Sequence, residues 1–168
     1  RSRGLGDVYK RQVKALIEAI ESGVTQVREP VYLYSGYSRG TNDIGSTYVE
    51  IDLTNQRLVF YMKGTPIVDT PIVSGNPNID GCATPEGCYA LDAKESPAVL
   101  TGEDYETNVT YWMPFAGNVG IHDATWRTEF GGNMYQWDGS HGCINVPYDK
   151  AAAIYANIEV GMPVVVYE

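Results

Sequence analysis

The stretch TYVEIDLTNQRLVFYMKGTPIVDTPIVS (47–74) decides the fold. Val49, Ile51 and Leu53 alternate with Glu50 and Asp52, the period of a strand that buries one face. Thr54, Asn55 and Gln56 supply turn chemistry, and RLVFYM (57–62) reads as the returning strand. Lys63 and Gly64 turn the chain again into TPIVDTPIVS (65–74), a third strand.

The same texture continues toward the C-terminus. Residues 75–87 hold Pro77, Gly81, Pro85 and Gly87 and read as a long turn region. CYALDAK (88–94), NVTYWMPF (108–115) and PVVVY (163–167) are further strand candidates, and Gly120-Ile121-His122 reads as a strand end. Ala-rich DKAAAIYAN (149–157) is the one clear helix of this part. The expected fold class is mainly β, a sandwich or barrel-like domain over 46–168 with one or two short helices.

Upstream the pattern changes. VKALIEAIES (13–22) places Val13, Leu16, Ile17 and Ile20 at helical spacing, with Gly23 as a stop. Residues 24–46 read as linker with a short extended piece at 31–34, so 13–45 is expected to be the tail of a preceding domain plus linker. SRGLGDVYKRQ (2–12) resembles the in-frame translation of a transposon-end sequencing adapter, so residues 1–12 are set aside as a processing scar. On that reading the natural protein starts further upstream, and a signal sequence or membrane anchor belongs to the missing part.

The chain has 168 residues, 43% of them hydrophobic, which suits one domain with a packed core. Its formal charge is −9, and residues 1–12 contribute Arg1, Arg3, Lys10 and Arg11 against Asp7, so the remainder is more acidic still. Such a chain repels nucleic acid and anionic lipid, which speaks against partners of either kind. Contact with a membrane is expected only through a segment outside this sequence.

The chemistry concentrates in IHDATWRTEFGGNMYQWDGSHGCINV (121–146), which contains both histidines of the chain, His122 and His141, and one of its three cysteines, Cys143. An ordinary thiol is only a few per cent thiolate at neutral pH, and a neighbouring imidazole can take its proton and return it to a leaving amine. Gly142 permits close backbone approach, and the amides of Gly142 and Cys143 are candidate oxyanion donors. Ser140 is a candidate for fixing an imidazole tautomer. A zinc site is the sharpest alternative: His122, His141 and Cys143, with Cys82 or Cys88, make four ligands, although His-x-Cys is not a usual zinc spacing. The plainer alternative is a small buried cysteine and two satisfied histidines.

His122 followed by Ser140-His141-Gly142-Cys143-Ile144-Asn145 resembles the signature of L,D-transpeptidases of the YkuD type, and the resemblance extends over roughly 45–168. YVEIDLTNQRLVFY resembles the opening strands of such domains, and ATPEG (83–87) resembles their Thr-Pro-x-Gly turn. YWMPF (111–115) and GIHDATWR (120–127) resemble the branch with an upstream peptidoglycan-binding domain. The resemblance implies Cys143 as nucleophile, His122 as general base, Ser140 as the residue orienting the imidazole, His141 and Gly142 as lining of the oxyanion site, and Asn145 as a loop-stabilising position. It implies no metal and no cofactor. The expected substrate is the peptidoglycan stem peptide, cut before its terminal D-Ala and passed to a side-chain amine, outside the cytoplasm at the cell wall. Acylation by carbapenems belongs to the same expectation. A carboxypeptidase or endopeptidase on the same scaffold, and a wall-binding domain without activity, are the alternatives. Cys82 and Cys88 are not expected from the family; a small disulfide and a reduced pair are both open.

Of the two histidines, His122 is expected within hydrogen-bond reach of the Cys143 sulfur, with looser geometry in the absence of substrate, and with its other ring nitrogen held by Ser140 or a backbone carbonyl. His141 sits two positions before Cys143, and side chains at that spacing in extended backbone run parallel rather than converge.

Overall fold

The computed structural model describes residues 5–28, 42, 44–102 and 106–168, with the backbone alone for 5–9. The chain divides into two compact units, Arg1–Gly36 and Tyr37–Glu168. The first is described by one helix, α1 (Leu5–Glu21), ended by Gly23 at φ 63°. The helix begins at Leu5 rather than Val13, because the preceding residues carry no proline and only Gly6 as a weak helix former. Leu16, Ile17 and Ile20 lie on its exposed surface. The extended piece expected at 31–34 lies outside the described residues.

The second unit is built on strands, as the alternation predicts. β1 (Tyr48–Asp52), β2 (Arg57–Met62) and β3 (Thr65–Pro71), the three expected strands, pair as an antiparallel meander. β4 (Gly87–Ala90) and β10 (Pro163–Tyr167) complete a five-stranded sheet in the order β3-β2-β1-β10-β4, in which β1 and β10 run parallel. Val49 and Ile51 point inward, Glu50 and Asp52 outward, and Leu58 and Phe60 cover the same buried face. β5 (Ala98–Thr101) pairs with β6 (Glu106–Val109) as a separate ribbon.

A second sheet holds β7 (Trp112–Ala116), β8 (Val119–Asp123) and β9 (Ile144–Val146), with β8 and β9 parallel. A short helix, α2 (Tyr135–Asp138), lies between β8 and β9, and α3 (Tyr148–Asn157) packs on β8 and β3. Ile121 and Ile144 from this sheet, Ile154 from α3 and Phe60 from the first sheet are all fully buried in one core. Among the described residues no helix is long and apolar enough to cross a membrane.

The segment read as one strand over 108–115 is two strands. The buried carboxylate of Asp123 explains the break: its Oδ1 accepts the backbone N–H groups of Thr110 (2.9 Å) and Tyr111 (2.7 Å), which leaves them unavailable to a ladder.

Candidate active site

Parallel pairing of β8 with β9 brings the motif together. His122 lies opposite Asn145, and Cys143 directly precedes β9. The segment that follows β3 holds the motif from the other side. Val73 and Asn145 exchange both backbone hydrogen bonds (3.0 and 2.9 Å), and Ser140 N–H donates to Ser74 O at 3.0 Å. Ser74 is itself fixed by Gln56, a buried residue of the β1–β2 turn, whose Oε1 accepts Ser74 N–H at 2.9 Å. The turn chemistry legible in Thr54-Asn55-Gln56 therefore supports the loop that carries Ser140 and Cys143 as well as a hairpin.

Two glycines permit this packing. A side chain on Gly75 would place its Cβ 2.0 Å from Cys82 O and 2.7 Å from Gly142 Cα, so only glycine lets the two segments touch. Gly142 has φ +118°, a backbone that other residues rarely adopt. Thr84, from the ATPEG turn, joins both: its Oγ1 accepts Gly75 N–H at 2.9 Å and donates to Gly142 O at 2.7 Å.

An open cleft of about 230 Å³ lies over the motif, lined by His122, Trp126, Arg127, His141, Cys143 and Asn145 among others. Of the residues proposed for the acyl-transfer site, Cys143, His122, Ser140, His141 and Asn145 line it, and Gly142 forms the backbone beneath. Cys143 is half-buried, with Sγ 3.6 Å from Asn118 O. Burial pushes its thiol above the ordinary range, against a smaller opposing pull from the Gly120 backbone.

His122 is buried between two indoles, with ring centroids 5.9 Å from both Trp112 and Trp126. Nδ1 is 2.9 Å from Asp123 O, and Nε2 is 3.1 Å from Asn145 Nδ2. Burial lowers its pKa below the ordinary histidine value, with Asp123 opposing the shift and Arg127 adding to it. The resting pair is therefore a neutral thiol and a neutral imidazole.

Both ring nitrogens of His122 are engaged: Nδ1 meets the Asp123 carbonyl, the backbone-carbonyl alternative of the expectation, and Nε2 meets Asn145. Ser140 does not orient the ring. Its Oγ donates to Cys143 O (2.5 Å) and accepts Gly142 N–H (3.0 Å), so it shapes the loop and occupies one amide expected to face the oxyanion. Asn145, read as a loop position, is the residue that meets the ring. His141 is exposed at the rim of the cleft.

Among the described residues no group of three His, Cys, Asp or Glu side chains converges as a metal site, so the four-ligand alternative is not assembled. Cys82 and Cys88 are free thiols, the first buried and the second exposed.

The model of the YkuD L,D-transpeptidase catalytic domain matches residues 46–166. The chain belongs to this family. Its structure is similar to that of an Enterococcus faecium L,D-transpeptidase, at 37% identity and TM-score 0.79, over 94% of this chain and 64% of that one. The catalytic domain of an E. faecium L,D-transpeptidase acylated by ertapenem is similar at 41% identity and TM-score 0.66, over 73% of this chain and 98% of that domain. A Mycobacterium smegmatis L,D-transpeptidase, 24% identical with TM-score 0.62 over 73% of this chain and 59% of that one, shares the fold. The chain thus spans under two thirds of the longer E. faecium protein. No curated protein matches it significantly.

The buried neutral ring makes this L,D-transpeptidase domain sensitive to acid. Unfolded His122 takes a proton near the ordinary value of about 6.5, whereas the folded ring resists it. The stability this confers is complete above that value and is lost as pH falls through the lower folded pKa. The urea midpoint is expected to be lower at about pH 5 than at about pH 7.5, and the difference should shrink in His122→Gln. An equal pH response in both chains would contradict a buried neutral ring.

Proposed function

We propose that this chain carries the acyl-transfer chemistry of a peptidoglycan L,D-transpeptidase. The observation that carries the reading is the placement of Cys143 and His122 in one cleft of a family member, with a thiol and an imidazole that are both neutral at rest. The substrate is the tetrapeptide stem. Its scissile carbonyl belongs to the L-centre of the third residue, and the leaving group is the terminal D-Ala.

As the carbonyl enters the cleft, the Cys143 thiol gives its proton to Nε2 of His122, which exchanges its Asn145 partner for the sulfur. Such contacts tighten in the substrate complex. The S–C bond forms, the Cys143 N–H faces the developing oxyanion, and the C–N bond breaks as D-Ala takes the proton from His122. A side-chain amine of a second stem then attacks the thioester. Its proton passes through His122 to the departing thiolate, and a three-to-three cross-link results.

Ser140 and Thr84 act by holding the loop, and Asn145 acts on the ring. His141 and Trp126 stand at the rim, where a peptide chain passes. The natural setting is the cell wall, outside the cytoplasm. Because the catalytic domain of an E. faecium relative is acylated by ertapenem, a strained β-lactam carbonyl is expected to acylate Cys143 as well.

The test is incubation with a synthetic tetrapeptide stem bearing a free side-chain amine, followed by mass spectrometry. Free D-Ala and a cross-linked dimer are expected, unchanged by chelator. D-Ala with tripeptide alone would identify a carboxypeptidase, and no turnover would leave a wall-binding role.

A further inference from the structure

We propose that Arg127 is a positioning residue that places the resting proton of His122 on Nδ1, acting through the side-chain amide of Asn145 and held in place by Asp138. The inference rests on the reading of His122 as the base and names what prepares it.

The argument follows the donors along one chain of contacts. Arg127 Nε donates to Asn145 Oδ1 at 2.8 Å. A guanidinium has donors only, so the Asn145 atom facing it must be the carbonyl oxygen. The amide nitrogen then faces the other way, 3.1 Å from His122 Nε2. An amide N–H meeting a ring nitrogen requires that nitrogen to present a lone pair. The ring proton therefore sits on Nδ1, where Asp123 O, 2.9 Å away, accepts it. Both ends of the ring agree on one tautomer, the one with Nε2 free to take the thiol proton.

Arg127 is itself well fixed. Nη1 donates to Asp138 Oδ2 and Nη2 to Asp138 O, both at 2.6 Å, and Nη1 also lies 3.7 Å from Met134 Sδ. Its side chain is 8% exposed while that of Asp138 is 66% exposed, so the ion pair runs from the buried site to the surface. A two-point contact of this kind restrains the plane of the guanidinium, which a point charge cannot do. The charged and titratable groups around the ring are Asp123 on β8, Arg127 after it, and, lining the same cleft, His141 and Cys143 before β9. Arg127 opposes protonation of the ring, which keeps Nε2 available as a base.

The test reads the tautomer directly by long-range ¹H–¹⁵N NMR of the imidazoles, with His141→Gln to assign the two rings. Wild type is expected to show a protonated Nδ1 and a bare Nε2 at His122. Asp138→Asn, at an exposed position, should loosen the guanidinium and bring in some of the other tautomer. Arg127→Met should bring in more, and Arg127→Lys, which keeps a donor, less than Met. In Arg127→Met the acid limb of Cys143 alkylation should also move to higher pH, because a cation opposing ring protonation is gone. A wild-type ring protonated on Nε2 would overturn the proposal, even if Arg127→Met fails to fold. So would an unchanged tautomer and acid limb in both variants. None of these readouts needs acyl transfer, so failure on the stem peptide would remove the function and leave the inference standing.

Discussion

Cys143→Ala is expected to leave a folded chain that forms no acyl-enzyme with stem peptide or β-lactam. The sulfur is the nucleophile in this account, and no nearby group replaces it. Cys82 is buried within the 75–87 turn region and Cys88 lies on β4, neither of them lining the cleft. Cys82→Ala and Cys88→Ala should therefore acylate as wild type does. Because Cys143 is half-buried and its thiol makes only weak sulfur contacts with the backbone, the stability cost should stay within about 1 kcal/mol. Acylation that survives Cys143→Ala would move the nucleophile elsewhere.

The second large effect belongs to His122. His122→Ala should slow acylation about 10²–10⁴-fold, the usual worth of a positioned proton acceptor. The ring also fills the space between Trp112 and Trp126, so alanine costs packing as well. His122→Gln, which keeps much of the volume, separates the two: it should lose the rate and recover the stability. His141→Ala, at the exposed rim, should cost much less in thiol reactivity. Equal losses for the two histidines would mean that proton transfer is shared or follows another route.

The architecture was legible where side chains obey one rule at a time. The alternation in 47–53 and the turn residues after it made β1, β2 and the turn between them legible, because the inward residues Val49, Ile51, Leu58 and Phe60 are fully buried. It failed where polar contacts from distant residues intervene. The break at 110–111 depends on Asp123, which no local pattern around 108–115 reveals. β9 is three residues long and sits inside the motif, so its pairing with β8 has no periodic signal of its own.

The site was legible as a set of residues and less so as a set of contacts. Spacing made His122 and Cys143 candidates for one site, and both line the same cleft. It gave no sign that Asn145 would stand against Nε2, or that Ser140 would turn to the loop backbone instead of the ring. Arg127 escaped notice because its role is defined by Asn145 and Asp138, which lie 18 and 11 positions away in sequence. An arginine close to His122 in an acidic chain was the available hint.

The central claim is a thioester on Cys143, and its most direct test is intact-mass spectrometry after an acid quench of the wild-type chain mixed with tetrapeptide stem, followed by peptide mapping. The account predicts a mass increase equal to the tripeptide acyl group, carried by the peptide that contains Cys143 and absent from those that contain Cys82 or Cys88. Turnover of the stem with no adduct at any time point, or an adduct on another residue, would contradict it.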